Sequence, residues 1–82
     1  MAPKNQVIAL RRQIEREVAR SPLKPYVHAI LDAYDALTRK QQIPPLRRKL
    51  EKEIGILKSP SSKAYLTKVM NDYELKLATI LG

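Results

Sequence analysis

The residues best suited to do chemistry in this sequence are cations set one helical turn apart. Arg12, Arg16 and Arg20 recur every four residues, and Arg48, Lys49 and Lys52 fall in a segment that repeats the wording of the first: LRRQIEREV opens at Leu10 and LRRKLEKEI at Leu46. Four-residue spacing stacks side chains on one helix face, where like charges oppose the helix by a few tenths of a kcal/mol per pair. That cost points to a use outside the helix. Guanidinium forks grip phosphate oxygens, and cations that neutralise phosphates release condensed counterions. These six residues are therefore candidate nucleic-acid contacts.

Other chemistry is thinly represented. Tyr26 and Tyr65 are candidates for stacking on unpaired bases, although packing at the edge of a helical core accounts for them better. His28 stands one turn before Asp32, a pairing that can orient a general base, but no serine, cysteine or second carboxylate is spaced to serve as its nucleophile. A surface contact between the two is the simpler expectation. Acidic residues are scattered among basic ones, without a metal-ligand cluster or a glycine-rich phosphate loop. No catalytic residue, metal or cofactor is expected, and the chain is read as a non-enzyme.

The overall balance agrees with an anionic partner. Sixteen Lys and Arg against eight Asp and Glu give a net charge of +8 over 82 residues, which favours nucleic acid or another polyanion. There is no cysteine, so neither a disulfide nor a thiolate metal site can staple the fold. A chain this short buries little more than about 60% of its unfolded surface, which leaves little for a deep cavity. No apolar run approaches the roughly 18 residues of a spanning helix. A membrane role is not expected either, because the basic stripe opposes the apolar one instead of bordering it. The default reading is a cytoplasmic protein associated with a nucleoid or a ribonucleoprotein.

The elements that must position these side chains are helices. Val7, Leu10, Ile14 and Val18 fall on one helical stripe, as do Val27, Ile30, Tyr34 and Leu37, and again Leu66, Val69, Tyr73 and Leu77. Clusters of proline and serine at SPLKP, IPP and SPSS divide the chain, and such clusters start helices as well as stop them. The spacing predicts helices near 4–20, 23–40, 45–57 and 61–80. On a helical wheel Arg12, Arg16 and Arg20 lie almost opposite the first stripe. By helix, the first and third carry a net +3 each, and the second and fourth +1 each.

The repeated phrase extends beyond the arginines. Gln6 and Val7 match Gln42 and Ile43; Leu10, Arg11, Arg12, Glu15 and Glu17 match Leu46, Arg47, Arg48, Glu51 and Glu53. Further on, Ser21 and Pro22 match Ser59 and Pro60, and Lys24, Tyr26, Tyr34 and Asp35 match Lys63, Tyr65, Tyr73 and Glu74. The expected fold is thus all-α, a single domain over 1–82 made of two tandem helical hairpins, 6–38 and 42–77. A lone hairpin exposes its apolar stripe, so the pair should close as a pseudo-two-fold four-helix bundle; a homodimer of hairpin pairs is the second arrangement. Arg11 and Arg47 read as local partners of Glu15 and Glu51. Ile56 replaces the third cation of the second stripe, with Gly55 expected to let Ile56 and Leu57 turn inward.

Two functions follow from these features. The first is a nucleic-acid-binding protein, DNA-binding or RNA-binding, that holds phosphates through basic helix faces with low sequence specificity. Few amide side chains are placed to read base edges, Gln13 being the nearest on the first helix. The second is a protein–protein module whose basic helices dock an acidic partner surface.

Overall fold

Prolines and a serine set where the helices begin. The computed structural model describes residues 3–81, which form α1 (Pro3–Glu17), α2 (Lys24–Asp35), α3 (Ile43–Gly55) and α4 (Pro60–Ala78), with a single 3-10 turn at Lys40–Gln42 and no strand among them. The fold is all-α. Ser59 caps α4, its hydroxyl accepting from the Ser62 amide at 3.3 Å while Pro60 fills the first helical position, where the absent N–H is not missed. Pro44 and Pro45 serve α3 in the same way, so that helix starts at Ile43, two residues before the expected position. Ser21 caps no helix; its hydroxyl accepts from the Leu23 amide at 3.1 Å and shapes the turn before α2.

All four helices end before their expected positions, the first two by the most. The first stops at Glu17 and not at residue 20: residues 18–20 continue as turns in which Ala19 N reaches back only to Arg16 O at 3.4 Å. The second stops at Asp35, where the amide of Leu37 bonds Tyr34 O and tightens the last turn. Beyond it the Gln42 side chain takes the amides of Thr38 and Arg39 at 2.7 and 2.9 Å, which pins the link to α3. Gly55 closes α3 without a positive φ. Leu57 then packs against the core, but Ile56 does not turn inward and remains 78% exposed. Its amide donates to Glu53 O at 3.4 Å and the Leu57 amide donates to Ile54 O at 3.1 Å, and this near-helical geometry keeps Ile56 on the outer side of α3.

The apolar stripes meet in one core containing Val18, Val27, Leu31, Tyr34, Leu66, Met70 and Tyr73, each at most 1% exposed. Leu10 and Leu37 pack on it half-buried. With no Phe or Trp in the chain, the two tyrosines are its bulkiest members. No buried side-chain polar atom lacks a partner among the described residues.

Contacts fix the helix directions. Tyr34 lies beside Tyr73, while Tyr26 and Ile30 share a cleft with Leu66, so α2 and α4 run parallel. Helix α1 runs against both: Arg11 meets Asp35, Glu15 meets His28, and Glu17 meets Tyr65. Helix α3 does the same, with Arg47 at Glu74 and with Leu50 and Ile54 near Ile30 and Tyr26. Thus α2 and α4 pack together, and α1 and α3 each pack on that pair but hardly on one another. Both reach it at the level of Tyr34 and Tyr73, and a groove between two helices has room for one neighbour at a given height. They therefore occupy opposite sides of the pair.

Two substitutions of opposite sign check this packing. Leu31→Ala, at a position with no exposure, removes core volume and lowers unfolding stability by about 2–5 kcal/mol. Gly55→Ala raises it by about 0.5–1 kcal/mol, because a Cβ there meets no atom within 4 Å and the residue loses backbone freedom only in the unfolded chain. Urea titrations followed by helical circular dichroism measure both.

Candidate functional site

Adjacent arginines in each LRR phrase have opposite fates, and the difference is angular. Successive helix residues are separated by about 100°, so Arg11 and Arg47 fall beside the apolar stripes while Arg12 and Arg48 face away. Arg11 donates to Glu15 at 3.4 Å, to Asp32 at 2.7 Å and to Asp35. Arg47 lies 3.7 Å from Glu51 and donates to Glu74 at 3.0 Å. The expected local pairs are present, and each arginine also reaches a carboxylate on the helix it packs against.

These carboxylates hold the core tyrosines. The Tyr34 hydroxyl donates to Glu74 at 2.9 Å, and the Tyr73 hydroxyl donates to Asp35. The rings meet edge to face, with centroids 6.2 Å apart and planes at 67°, a favoured aromatic geometry. Two chains of the same composition result: Arg11, Asp35 and Tyr73, and Arg47, Glu74 and Tyr34. In each, the tyrosine belongs to the other sequence segment. The rings fill the core, and the hydroxyls meet an ion-paired network at its edge.

Protonation follows from this geometry. Burial pushes both the Tyr34 and Tyr73 hydroxyls well above the usual tyrosine range, and hydrogen bonds to Glu74 and Asp35 push them further. Burial works against the Arg11 charge, but its bonds to Asp32 and Asp35 outweigh that and hold the guanidinium more firmly protonated than usual.

The outer faces are a separate environment. Arg12 and Arg16 on α1, and Arg48, Lys49 and Lys52 on α3, are all exposed, as is Arg20 in the turn after α1. Among the described residues none of the six has a carboxylate within ion-pair distance; the ion pairs draw on Arg11, Arg47 and His28 alone. Two arginines thus occupy five of the eight carboxylates, and Glu17 accepts from Tyr65 at 3.2 Å. The early end of α1 takes Arg20 off the regular helical stripe but leaves it exposed beside Arg16.

The remaining candidates separate cleanly. Tyr65 is half-buried and tied to Glu17, and burial with that bond raises its pKa. Tyr26 is 51% exposed and lines a cleft of about 230 Å³ with Ile30, Leu50, Glu53, Ile54 and Leu66, between α2, α3 and α4. His28 does not pair with Asp32. Its Nδ1 lies 3.6 Å from Glu15, and Asp32 is taken by Arg11, because α1 packs over that face of α2. Among the described residues no group of three or more His, Cys, Asp or Glu side chains converges as a metal site would require, and no helix is long and apolar enough to cross a membrane.

The inner network is what sequence reasoning missed. Its signal was an arginine at the border of the apolar arc, repeated at Arg47, together with tyrosine–acid dipeptides at Tyr34–Asp35 and Tyr73–Glu74. No protein-family model, curated protein or solved structure matches this chain.

The network makes stability sensitive to alkali. A tyrosine whose folded pKa is raised favours folding while both states are protonated; above the unfolded value of about 10 the unfolded chain releases a proton that the folded chain retains, so stability falls as pH rises. Tyr34→Phe with Tyr73→Phe costs roughly 1–2 kcal/mol per hydroxyl at neutral pH. The gap between native protein and double variant narrows above about pH 10, as read from urea midpoints along a pH series.

Proposed function

We propose that the chain is a non-enzymatic nucleic-acid-binding protein, built from two tandem helical hairpins closed about a pseudo-two-fold axis, that grips phosphates through Arg12, Arg16, Arg20, Arg48, Lys49 and Lys52. The observation that carries this reading is the sorting of charge. Five carboxylates are paired to Arg11 and Arg47, and among the described residues the exposed cations on the outer faces of α1 and α3 have no carboxylate within ion-pair distance. In a protein whose surface cations served only solubility, interspersed ion pairs would be the ordinary arrangement. The crossed arginine–carboxylate–tyrosine chains support the duplication, since exchanging the two sequence segments maps each chain onto the other.

Low specificity fits the same surface. Phosphate contacts position a protein on its polymer, whereas sequence is read from base edges, and Gln13 on α1 is the exposed amide nearest the cations. The second reading, docking to an acidic protein surface, is favoured by one observation: Ile56 stands exposed at the end of the α3 face, one turn beyond Lys52. An apolar anchor beside cations suits a protein interface.

Salt response separates the two readings. Titration of the protein against duplex DNA, single-stranded DNA and structured RNA at two salt concentrations gives affinities that fall steeply with salt and vary little with sequence. Each phosphate contact contributes about 0.9 to the log–log slope on B-DNA. Replacing Arg12, Arg16, Arg48 and Lys52 by alanine flattens that slope and weakens binding to all three polymers while helical circular dichroism is unchanged. No binding at low salt overturns the proposal and favours the acidic-protein reading.

A further inference from the structure

The two basic faces do not form one patch. Helices α1 and α3 occupy opposite sides of the α2–α4 pair, and each turns its core stripe toward that pair. Val7, Ile14 and Val18 on one side, and Ile43, Leu50 and Ile54 on the other, are buried. Arg12 and Arg16 lie almost opposite the α1 stripe, and Arg48 and Lys52 almost opposite the α3 stripe. The two sets of cations therefore project in opposing directions. With helices packed 8–10 Å apart, the α1 and α3 axes stand roughly 15 Å from one another, and the side chains extend outward from both.

A single duplex segment cannot lie against two faces that look away from each other. We propose that the protein is a bridge: the α1 face and the α3 face bind two separate nucleic-acid duplexes and hold them together. This rests on the phosphate reading above and adds to it a stoichiometry and a geometry. Duplexes are favoured over single strands because the aromatic residues are spent elsewhere. Tyr34 and Tyr73 are buried, Tyr65 is bonded to Glu17, and Tyr26 alone is exposed, in a cleft beside α3, so neither face offers the succession of aromatic rings on which single-strand binders stack bases. Cations alone suit a double helix, whose phosphates are outside and whose bases are stacked within.

The test uses one immobilised DNA duplex and a second, fluorescent duplex of unrelated sequence, with an RNA duplex as a parallel arm to rank the two polymers. The native protein is expected to draw the fluorescent duplex onto the surface at low salt. Capture should rise and then fall with protein concentration, because excess protein gives every duplex its own partner. Two variants each remove one face: Arg12→Ala with Arg16→Ala and Arg20→Ala, and Arg48→Ala with Lys49→Ala and Lys52→Ala. Each still binds the immobilised duplex through its remaining face, but fluorescent capture drops to background.

Binding of the immobilised duplex by native protein without capture of the second overturns the bridge and leaves the phosphate reading standing. Capture that persists in both one-face variants also overturns it, since the link would then be self-association of the protein. Absence of any duplex binding overturns the phosphate reading itself. All six substituted side chains are exposed, and helical circular dichroism of each variant verifies that the fold is retained.

Discussion

The structure depends on the bond between a buried tyrosine hydroxyl and a carboxylate that an arginine from a third helix holds in place. A core without Phe or Trp must obtain its bulk from Tyr34 and Tyr73, and a hydroxyl taken out of water without a partner costs on the order of 1–3 kcal/mol. Glu74 and Asp35 remove that cost, and Arg47 and Arg11 remove the further cost of bringing carboxylates toward the interior. Every helix contributes at least one member. The network consequently fixes the axial position of all four helices, which apolar contacts alone define only loosely because Leu, Ile and Val exchange neighbours at little cost.

Charge segregation follows from the same constraint. Two arginines engage five carboxylates, and among the described residues the outer cations of α1 and α3 have no carboxylate within ion-pair distance. Self-repulsion in a chain of net charge +8 is moderated by distance, since the densest cation sets lie on opposing sides and salt screens charges separated by more than about 8–10 Å. An arrangement with all six cations on one side would repel itself more strongly.

Much of the helix content was legible in the sequence, because three-to-four-residue periodicity and proline-rich breaks are local signals. The stripes at Val27, Ile30 and Tyr34, and at Leu66, Val69, Tyr73 and Leu77, are buried as their spacing predicts. Helix ends were less legible: nothing local in VAR or ALTRK announces that the chain must turn at Glu17 and Asp35 to bring the next helix antiparallel. The inner network was hidden for a different reason. Arg11 has a satisfactory partner four residues away in Glu15, and only the packing of α1 on α2 and α4 reveals that Asp32 and Asp35 compete for it. His28 illustrates the same limit, since its i+4 neighbour Asp32 lost to an arginine from another helix. The outer cations, having no such competitor, sit where the wheel places them.

Helix α4 is the longest element, the one with a serine cap, and a neighbour of each of the other three. Opening it withdraws partners from α1, α2 and α3 at once, so its amides around Met70 and Tyr73 can exchange with solvent only when the whole molecule unfolds. The turn after α1 is anchored at one point: Val18 is in the core, whereas Ala19 and Arg20 are exposed and the Ala19 amide reaches Arg16 O only at 3.4 Å. Arg20 thus stands on a turn, outside the helical repeat, while Arg12 and Arg16 are held by a regular helix at a fixed axial spacing of about 6 Å.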